Sequence, residues 1–350
     1  MPLINPSTIL VYTLGELLGD GMVKLPFVQQ LRKLYPQAHI TWMAGQRTTA
    51  YKSVLHPLIA GDIDEVHELT MVGASWTQWF KPPWNAPKGG YDLIIDTQRR
   101  TKATLIVKRI PHKTFISPAM KWFFSDLKPT DVTKRPAHFA AQHTMLLELL
   151  SQKPVTLDYH VTLPDEYIMM GQEVRHHLIQ DRTKWVLLAP GAGVRIKCWP
   201  LERFTALAMY LRAQGVGVSY ILGPQELDMR AEIESHDPDA SFPLQYLGEG
   251  PLKDQSRSIY TTMALANAAD LCIANDAGVG HVFAATSTPL ISLFGIVDEG
   301  MWAPLTPHLT ILKGSMFDAH NPHVNAIPFD AVCLAVEHGL LSRSGEVRAE

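Results

Sequence analysis

The sequence predicts an α/β protein built from two Rossmann-like domains with parallel sheets. Three observations predict it. Short apolar runs alternate with helix-length amphipathic stretches, as in parallel sheets covered by helices. The alternation restarts near the middle of the chain. The length, 350 residues, suits about two domains of roughly 150–200 residues.

In the first half, Thr8–Tyr12 (TILVY) reads as a buried strand, followed by a Gly-containing loop and a helix ending at Leu34, before Tyr35-Pro36. His39–Met43 and Asp92–Asp96 (DLIID) read as further strands, the latter followed by a helix from about Thr101. Ala137–Leu150 reads as an amphipathic helix, and Trp76–Pro87 as a Pro- and Trp-rich loop. The second half begins with a helix, Glu166–Gln180, then the strand Trp185–Ala189, a loop and the helix Leu201–Gln214. Gly217–Leu222, Leu271–Ala274 and Leu290–Phe294 are its remaining strands, and Phe329–Leu340 a terminal helix. The domains are expected at residues 1–160 and 161–350, with the terminal helix packing back on the first. Such a pair leaves a cleft at the C-terminal ends of its strands, where open α/β sheets bind ligands.

Composition narrows the function. Hydrophobic residues are 46% of the chain and charged residues 19%, enough apolar surface for an ordered core. No apolar run approaches the roughly 20 residues of a membrane-spanning helix, and the N-terminus lacks a secretory pattern. Cys198, Cys272 and Cys333 form no CxxC pair, which fits a reducing, cytoplasmic setting. The 15 His include no HExxH, so zinc is not suggested. A net charge of −3 argues against a dedicated nucleic-acid binder. That average conceals a split: residues 1–160 carry 18 Lys and Arg against 12 Asp and Glu, and the remainder 13 against 22. The basic first half either meets an anionic partner or has an ordinary surface.

Five segments carry candidate chemistry. Ala274–Ala285 (ANDAGVGHVFAA) leaves a strand and opens a helix, whose N-terminal amides favour a phosphate. There Asp276 either accepts sugar hydroxyls or caps the helix, and His281 lies one turn in. Ala189–Pro200 (APGAGVRIKCWP) places Arg195 and Lys197 beside a Gly-rich turn, suited to a pyrophosphate, though a lysine on a surface loop is the commoner case. In Ile221–Glu226 (ILGPQE), Glu226 follows a strand and suits ribose hydroxyls or a helix N-terminus. In Thr13–Pro26 (TLGELLGDGMVKLP), Asp20 lies between two glycines on the loop after the first strand. It could take a proton from an attacking hydroxyl or cap the next helix, with Glu16 as a rival base. Arg99, Arg100 and Lys102 sit at a helix N-terminus, where cations are unfavourable. They indicate a bound anion or a solvated face.

These motifs, in this order, resemble glycosyltransferase family 9, the heptosyltransferase family of lipopolysaccharide core assembly. The resemblance runs through most of the chain. It rests on Gly19-Asp20 with Pro26; Tyr91-Asp92, Gln98 and Lys102; Pro190-Gly191-Ala192 with Lys197-Cys198-Trp199-Pro200; Gly223 with Glu226; Asn275-Asp276-Ala277-Gly278 with His281; and Phe294-Gly295. Ala277 stands where the family usually carries Ser or Thr. The resemblance implies a GT-B architecture whose parallel sheets face an interdomain cleft, with the acceptor on the first domain and the nucleotide-sugar on the second. It implies inverting transfer of a sugar, a heptose from ADP-heptose, to a lipopolysaccharide-core or related glycan.

By the same resemblance Asp20 is the general base. Lys197, with Arg195 and Gly191, holds the donor diphosphate, and Glu226 the ribose. Asp276, Ala277, Gly278 and His281 gather around sugar and pyrophosphate. Arg99, Arg100 and Lys102 meet an anionic glycan or glycolipid. No cofactor or metal is expected: Asp62-Ile63-Asp64 and Asp237-Pro238-Asp239 read DxD, but both lie away from the donor motifs. Trp76, Trp79 and Trp84 could rest on the cytoplasmic face of a membrane or pack within their loop. A non-catalytic nucleotide-sugar or glycan binder and a sugar-nucleotide epimerase on the same fold are the alternatives.

Overall fold

The computed structural model describes residues 4–80, 84, 86–249 and 258–345. The chain divides into two compact units, Met1–Asp158 and Tyr159–Glu350.

The first unit contains β1 (Thr8–Thr13), α1 (Leu18–Leu34), β2 (His39–Ala44), α2 (His56–Ile59), β3 (Glu65–His67), β4 (Tyr91–Asp96), α3 (Thr101–Val107), β5 (His112–Ile116) and α4 (Phe139–Ser151). Its sheet is parallel, in the order β3-β2-β1-β4-β5. The central strand is apolar on both faces: Ile9, Leu10, Val11 and Tyr12 are fully buried. Burying each such aliphatic side chain contributes about 1.5–3 kcal/mol. That is why the central strands read so plainly as apolar runs.

The second unit contains α5 (Asp165–Ile179), β6 (Trp185–Ala189), α6 (Leu201–Ala213), β7 (Gly217–Tyr220), α7 (Met229–His236), α8 (Pro243–Glu249), α9 (Ile259–Ala268), β8 (Leu271–Asn275), α10 (Gly278–Ala284), β9 (Leu290–Phe294), α11 (Glu299–Trp302), β10 (Leu309–Lys313) and α12 (Phe329–Gly345). Its parallel sheet has the order β10-β9-β8-β6-β7. The terminal helix, expected on the first domain, belongs to the second unit's core, where Val332 and Val336 are fully buried beside Leu271, Ile291 and Leu293.

The two sheets share one winding. Each begins at a central strand, runs outward on one side, then crosses back to continue on the other. The reversal falls between β1 and β4 in the first unit and between β6 and β8 in the second. At such a reversal neighbouring connections leave in opposite directions and open a crevice at the strands' C-terminal ends. The segments after β1, β4, β6 and β8 hold Asp20, Arg99–Lys102, Arg195–Lys197 and Asp276–His281 respectively.

Candidate active site

In the first unit Asp20 lies in the first turn of α1 rather than on the preceding loop. The helix starts earlier than expected because Gly19 and Gly21 continue into it. Gly21 also leaves room for α1 to pack closely, since a Cβ there would stand 2.4 Å from Leu55 Cδ1. Burial raises the Asp20 carboxyl above its ordinary pKa. The Lys24 charge opposes the rise, and the Glu16 charge adds to it. Asp20 thus keeps more basicity than a solvated aspartate, as a general base requires.

Glu16, the rival base, is committed elsewhere. Its Oε1 accepts from Lys24 Nζ at 2.7 Å, and its Oε2 from Thr49 Oγ1 at 2.7 Å and Trp42 Nε1 at 3.3 Å. Glu16 and Lys24 are both buried, and the ammonium lies 6.0 Å from the Trp42 ring and 5.8 Å from that of Phe139. Burial alone would push the Glu16 carboxyl up, but the Lys24 charge and the hydrogen bonds of Lys24, Thr49 and Thr13 hold it below its usual range. The stability this supplies is present above the ordinary glutamate pKa of about 4.3. It is lost as pH falls through the lowered folded-state value. Lys24→Met, which strands a buried carboxylate, is expected to cost about 3–5 kcal/mol, read from the urea midpoint at unchanged slope. Adding Glu16→Gln should restore part of it. A loss below about 1 kcal/mol, the scale of an exposed pair, would contradict the buried assignment.

At the end of β4, Asp96 is wholly buried and pushed up to about 6 by that burial, against hydrogen bonds from Thr104 and Ser117. It anchors the turn that presents Arg99 and Arg100 before α3. Lys102 donates from Nζ to the Ala74 carbonyl at 2.7 Å, so it tethers the 71–80 loop in this structure. In that loop Trp76 and Trp79 are exposed, Arg109 lies 5.2 Å from the Trp79 ring, and Trp84 sits edge-on to His67 at 5.0 Å. Lys81, Pro82, Pro83 and Asn85 of the same segment lie outside the described residues.

In the second unit three segments meet through one side chain. Asn275, fully buried at the end of β8, donates from Nδ2 to the Pro190 carbonyl at 2.7 Å and accepts at Oδ1 from the Trp199 amide at 2.9 Å. Both ends of the amide are used, so the loop after β6 is fixed to the mouth of β8. On that frame Lys197 Nζ lies 2.7 Å from Asp276 Oδ2, the carboxylate 8% exposed and the ammonium 32%. Glu226 comes in from the segment after β7. A Cβ on Gly191 would stand 2.2 Å from Glu226 Cγ, and one on Gly223 2.7 Å from its Oε2. The two glycines are therefore the space in which this carboxylate lies. Burial raises its pKa, and the Asp228 charge adds to the rise. Ala277 occupies the N-cap of α10, with no side-chain cap bond, and Gly278 begins the helix, with His281 one turn in. Arg195 and Lys197 bound the short helical turn Arg195–Lys197.

The structure thus brings together Gly191, Lys197, Glu226 and Asp276 in the second unit, and Asp20, Glu16 and Lys24 in the first. The sequence reading missed Lys24, whose signal was a lone lysine in the apolar run MVKLPFV. It carried Asn275 as part of a motif and gave it no role in fixing the loop after β6. The two DxD segments hold structural carboxylates: Asp64 accepts from Arg32 Nη2 and the Ile40 amide, and Asp237 from Arg212 and Tyr220 Oη. Among the described residues no group of three or more His, Cys, Asp or Glu is arranged to hold a metal. No described helix is long and apolar enough to cross a membrane.

Known proteins share this fold. The solved structure of a glycosyl transferase family 9 protein from Veillonella parvula DSM 2008 superposes with a TM-score of 0.69 at 21% identity, covering 98% of this chain and 99% of that one. That of the E. coli ADP-heptose lps heptosyltransferase II gives 0.65 at 19%, covering 96% and 99%. Lipopolysaccharide heptosyltransferase 3 of Escherichia coli (strain K12) is 24% identical over 342 residues, 91% of this chain and 94% of that protein. The fold is that of the GT-B glycosyltransferases, two doubly wound parallel sheets with loops gathered at their reversal points. The family model of glycosyltransferase family 9 (heptosyltransferase) matches residues 87–325, and the chain belongs to that family of enzymes.

Proposed function

We propose that this glycosyltransferase transfers a heptose from ADP-heptose to an anionic sugar of the lipopolysaccharide core, with inversion at the anomeric carbon. The observation that carries the reading is the construction at the β6–β8 reversal. There Asn275 fixes two loops so that Lys197 presents its ammonium beside Asp276, and Glu226 lies against Gly191 of the same loop. A flexible cation would serve equally well on any surface; a cation on a rigid frame is what a developing diphosphate charge needs. The names of the relatives, heptosyltransferases acting with ADP-heptose or on lipopolysaccharide, support this choice of donor and acceptor.

In this reading Asp20 takes the proton of the acceptor hydroxyl as its oxygen bonds to the anomeric carbon. The bond from that carbon to the diphosphate oxygen breaks, and its electron pair leaves with ADP. Lys197, with Arg195 on the same turn, meets that charge, while Asp276 and His281 hold sugar hydroxyls and Glu226 the ribose. No metal or other cofactor is assigned a role. Arg99 and Arg100 serve the acceptor side. The exposed Trp76, Trp79 and Phe80 suit peripheral contact with a lipid-linked acceptor on the cytoplasmic face of a membrane.

Thermal unfolding with ADP, UDP and GDP tests the donor side. A ligand that binds only the native state at about 100 times its Kd adds about 2.7 kcal/mol. ADP is expected to raise Tm, and UDP and GDP much less. A preference for UDP or GDP would overturn the assigned donor.

A further inference from the structure

Lys24 is a buried cation that the transfer chemistry above does not use. It lies one turn beyond Asp20 on α1, and Glu16 lies four residues before Asp20. Residues i and i+4 of a helix stand on one face, about 5–6 Å apart at Cβ. Lys24 and the proposed base therefore share a face of α1. The ammonium donates to Glu16 at 2.7 Å, and the two side chains are 3% and 0% exposed. A lone ammonium could not be held there, because an unpaired buried charge is strongly destabilising. Glu16 thus makes it possible to keep a cation beside Asp20 whose own hydrogen bond is made elsewhere.

The same pair fixes the backbone around the base. The Glu16 carbonyl accepts the Ala50 amide at 2.9 Å, and Glu16 bridges Thr49 as an isolated parallel pair. Its Oε2 also accepts from Thr49 Oγ1. In the short helical turn that follows, Ala50–Lys52, Tyr51 donates from Oη to the carbonyl of Gly21 at 2.7 Å. Gly21 follows Asp20 directly. The turn that carries Asp20 is thus held at residue 16, at residue 21 and, through the ion pair, at residue 24. The N-cap, Leu17, supplies no side-chain bond of its own, so the start of α1 depends on these contacts.

We infer that the buried Glu16–Lys24 pair is a positioning device for the base: it clamps the turn bearing Asp20 and keeps that carboxylate in its charged, proton-accepting form. The inference deepens the transferase reading and rests on Asp20 being the base. Burial favours the neutral acid at Asp20. Lys24 is the largest opposing influence, Glu16 acts in the other direction, and the exposed Arg47, from the loop after β2, assists Lys24. The remaining groups on the elements packed against α1 carry no compensating charge inside the unit. Tyr51 is kept un-ionised by burial, and so is His143 of α4 kept neutral. Lys52 and His56 are exposed.

The test compares wild type, Lys24→Met, Glu16→Gln and the double variant, each full-length and carrying ¹³C at the aspartate carboxyls. Asp20→Asn identifies the Asp20 signal by its loss. The midpoint of that signal is expected to move to higher pH in Lys24→Met and to lower pH in Glu16→Gln. In the double variant it should lie between wild type and Lys24→Met. The acid limb of kcat/KM, measured with ADP-heptose and a lipopolysaccharide core oligosaccharide, should move in the same order. On that limb Lys24→Met should be about tenfold slower than wild type at equal pH. A pair of purely structural use would lower the plateau and leave the limb in place. An Asp20 midpoint that does not move in these variants overturns the inference, and so does one that moves the same way in both single variants. Should Lys24→Met not fold, Glu16→Gln and the double variant, which leaves no unpaired buried charge, still decide. A midpoint that moves while the rate profile stays fixed would leave the coupling of the pair to Asp20 standing and remove Asp20 as the base of the transferase reading.

Discussion

Replacing Asp20 with Asn is expected to lower kcat by about 10²–10⁴, the usual contribution of a positioned general base, with ADP affinity nearly unchanged. Asn occupies the same place in the first turn of α1 and keeps its shape, but it cannot accept the acceptor's proton. Lys197, Glu226 and Asp276, the residues proposed to bind the nucleotide, all belong to the second unit, so donor affinity should be spared. The pH profile sharpens the test. Asp20 must be ionised to act, and burial together with the Glu16 charge raises its pKa despite Lys24. Wild-type kcat/KM should fall as pH drops through a value above that of an ordinary aspartate, and the variant should lack this limb. Unaltered turnover, or an acid limb that survives the substitution, would remove Asp20 from the mechanism.

Lys197→Met should lower kcat by about 10²–10³, the effect of deleting one oxyanion donor, and should also weaken ADP binding. Two losses combine here. The leaving diphosphate loses its cation, and Asp276, which is almost fully buried, is left as an uncompensated negative charge facing an incoming anion. Adding Asp276→Asn removes that repulsion. The double variant should therefore bind ADP more tightly than Lys197→Met alone, while turnover stays low. Steady-state kinetics and calorimetry of the four proteins in this cycle separate the contributions. Near-wild-type turnover in Lys197→Met would exclude its role at the leaving group.

What could be read in the sequence follows burial. β1, β2, β4, β6, β8 and β9 are apolar on both faces and stand out as hydrophobic runs. Of the four edge strands, β7 is buried and legible, but β3, β5 and β10 are not: Glu65–His67, His112–Ile116 and Leu309–Lys313 are half-exposed and carry polar residues on the open side. Open edges such as these are polar, so the period that marks a strand is weakest there. The site shows the same division. Asp20, Lys197, Glu226 and Asp276 stand out because each is a charged residue beside glycine at a strand end. The 2.7 Å pairing of Lys197 with Asp276 joins residues 79 positions apart, and nothing local announces it. Lys24 and His143 lie inside apolar helical stretches, where pattern alone assigns a residue to the core. Only the structure shows that one neutralises Glu16 and that the other leaves its Nε2 without a hydrogen-bond partner.

Ala277 has a consequence of its own. Because its methyl offers α10 no oxygen, the opening amides of that helix depend on whatever occupies the space before them. On the proposed donor site, a diphosphate arriving there would finish a piece of secondary structure that the polypeptide leaves incomplete, so loading the donor would firm this seven-residue segment. Release of the nucleotide at that site would in turn leave the same amides open again.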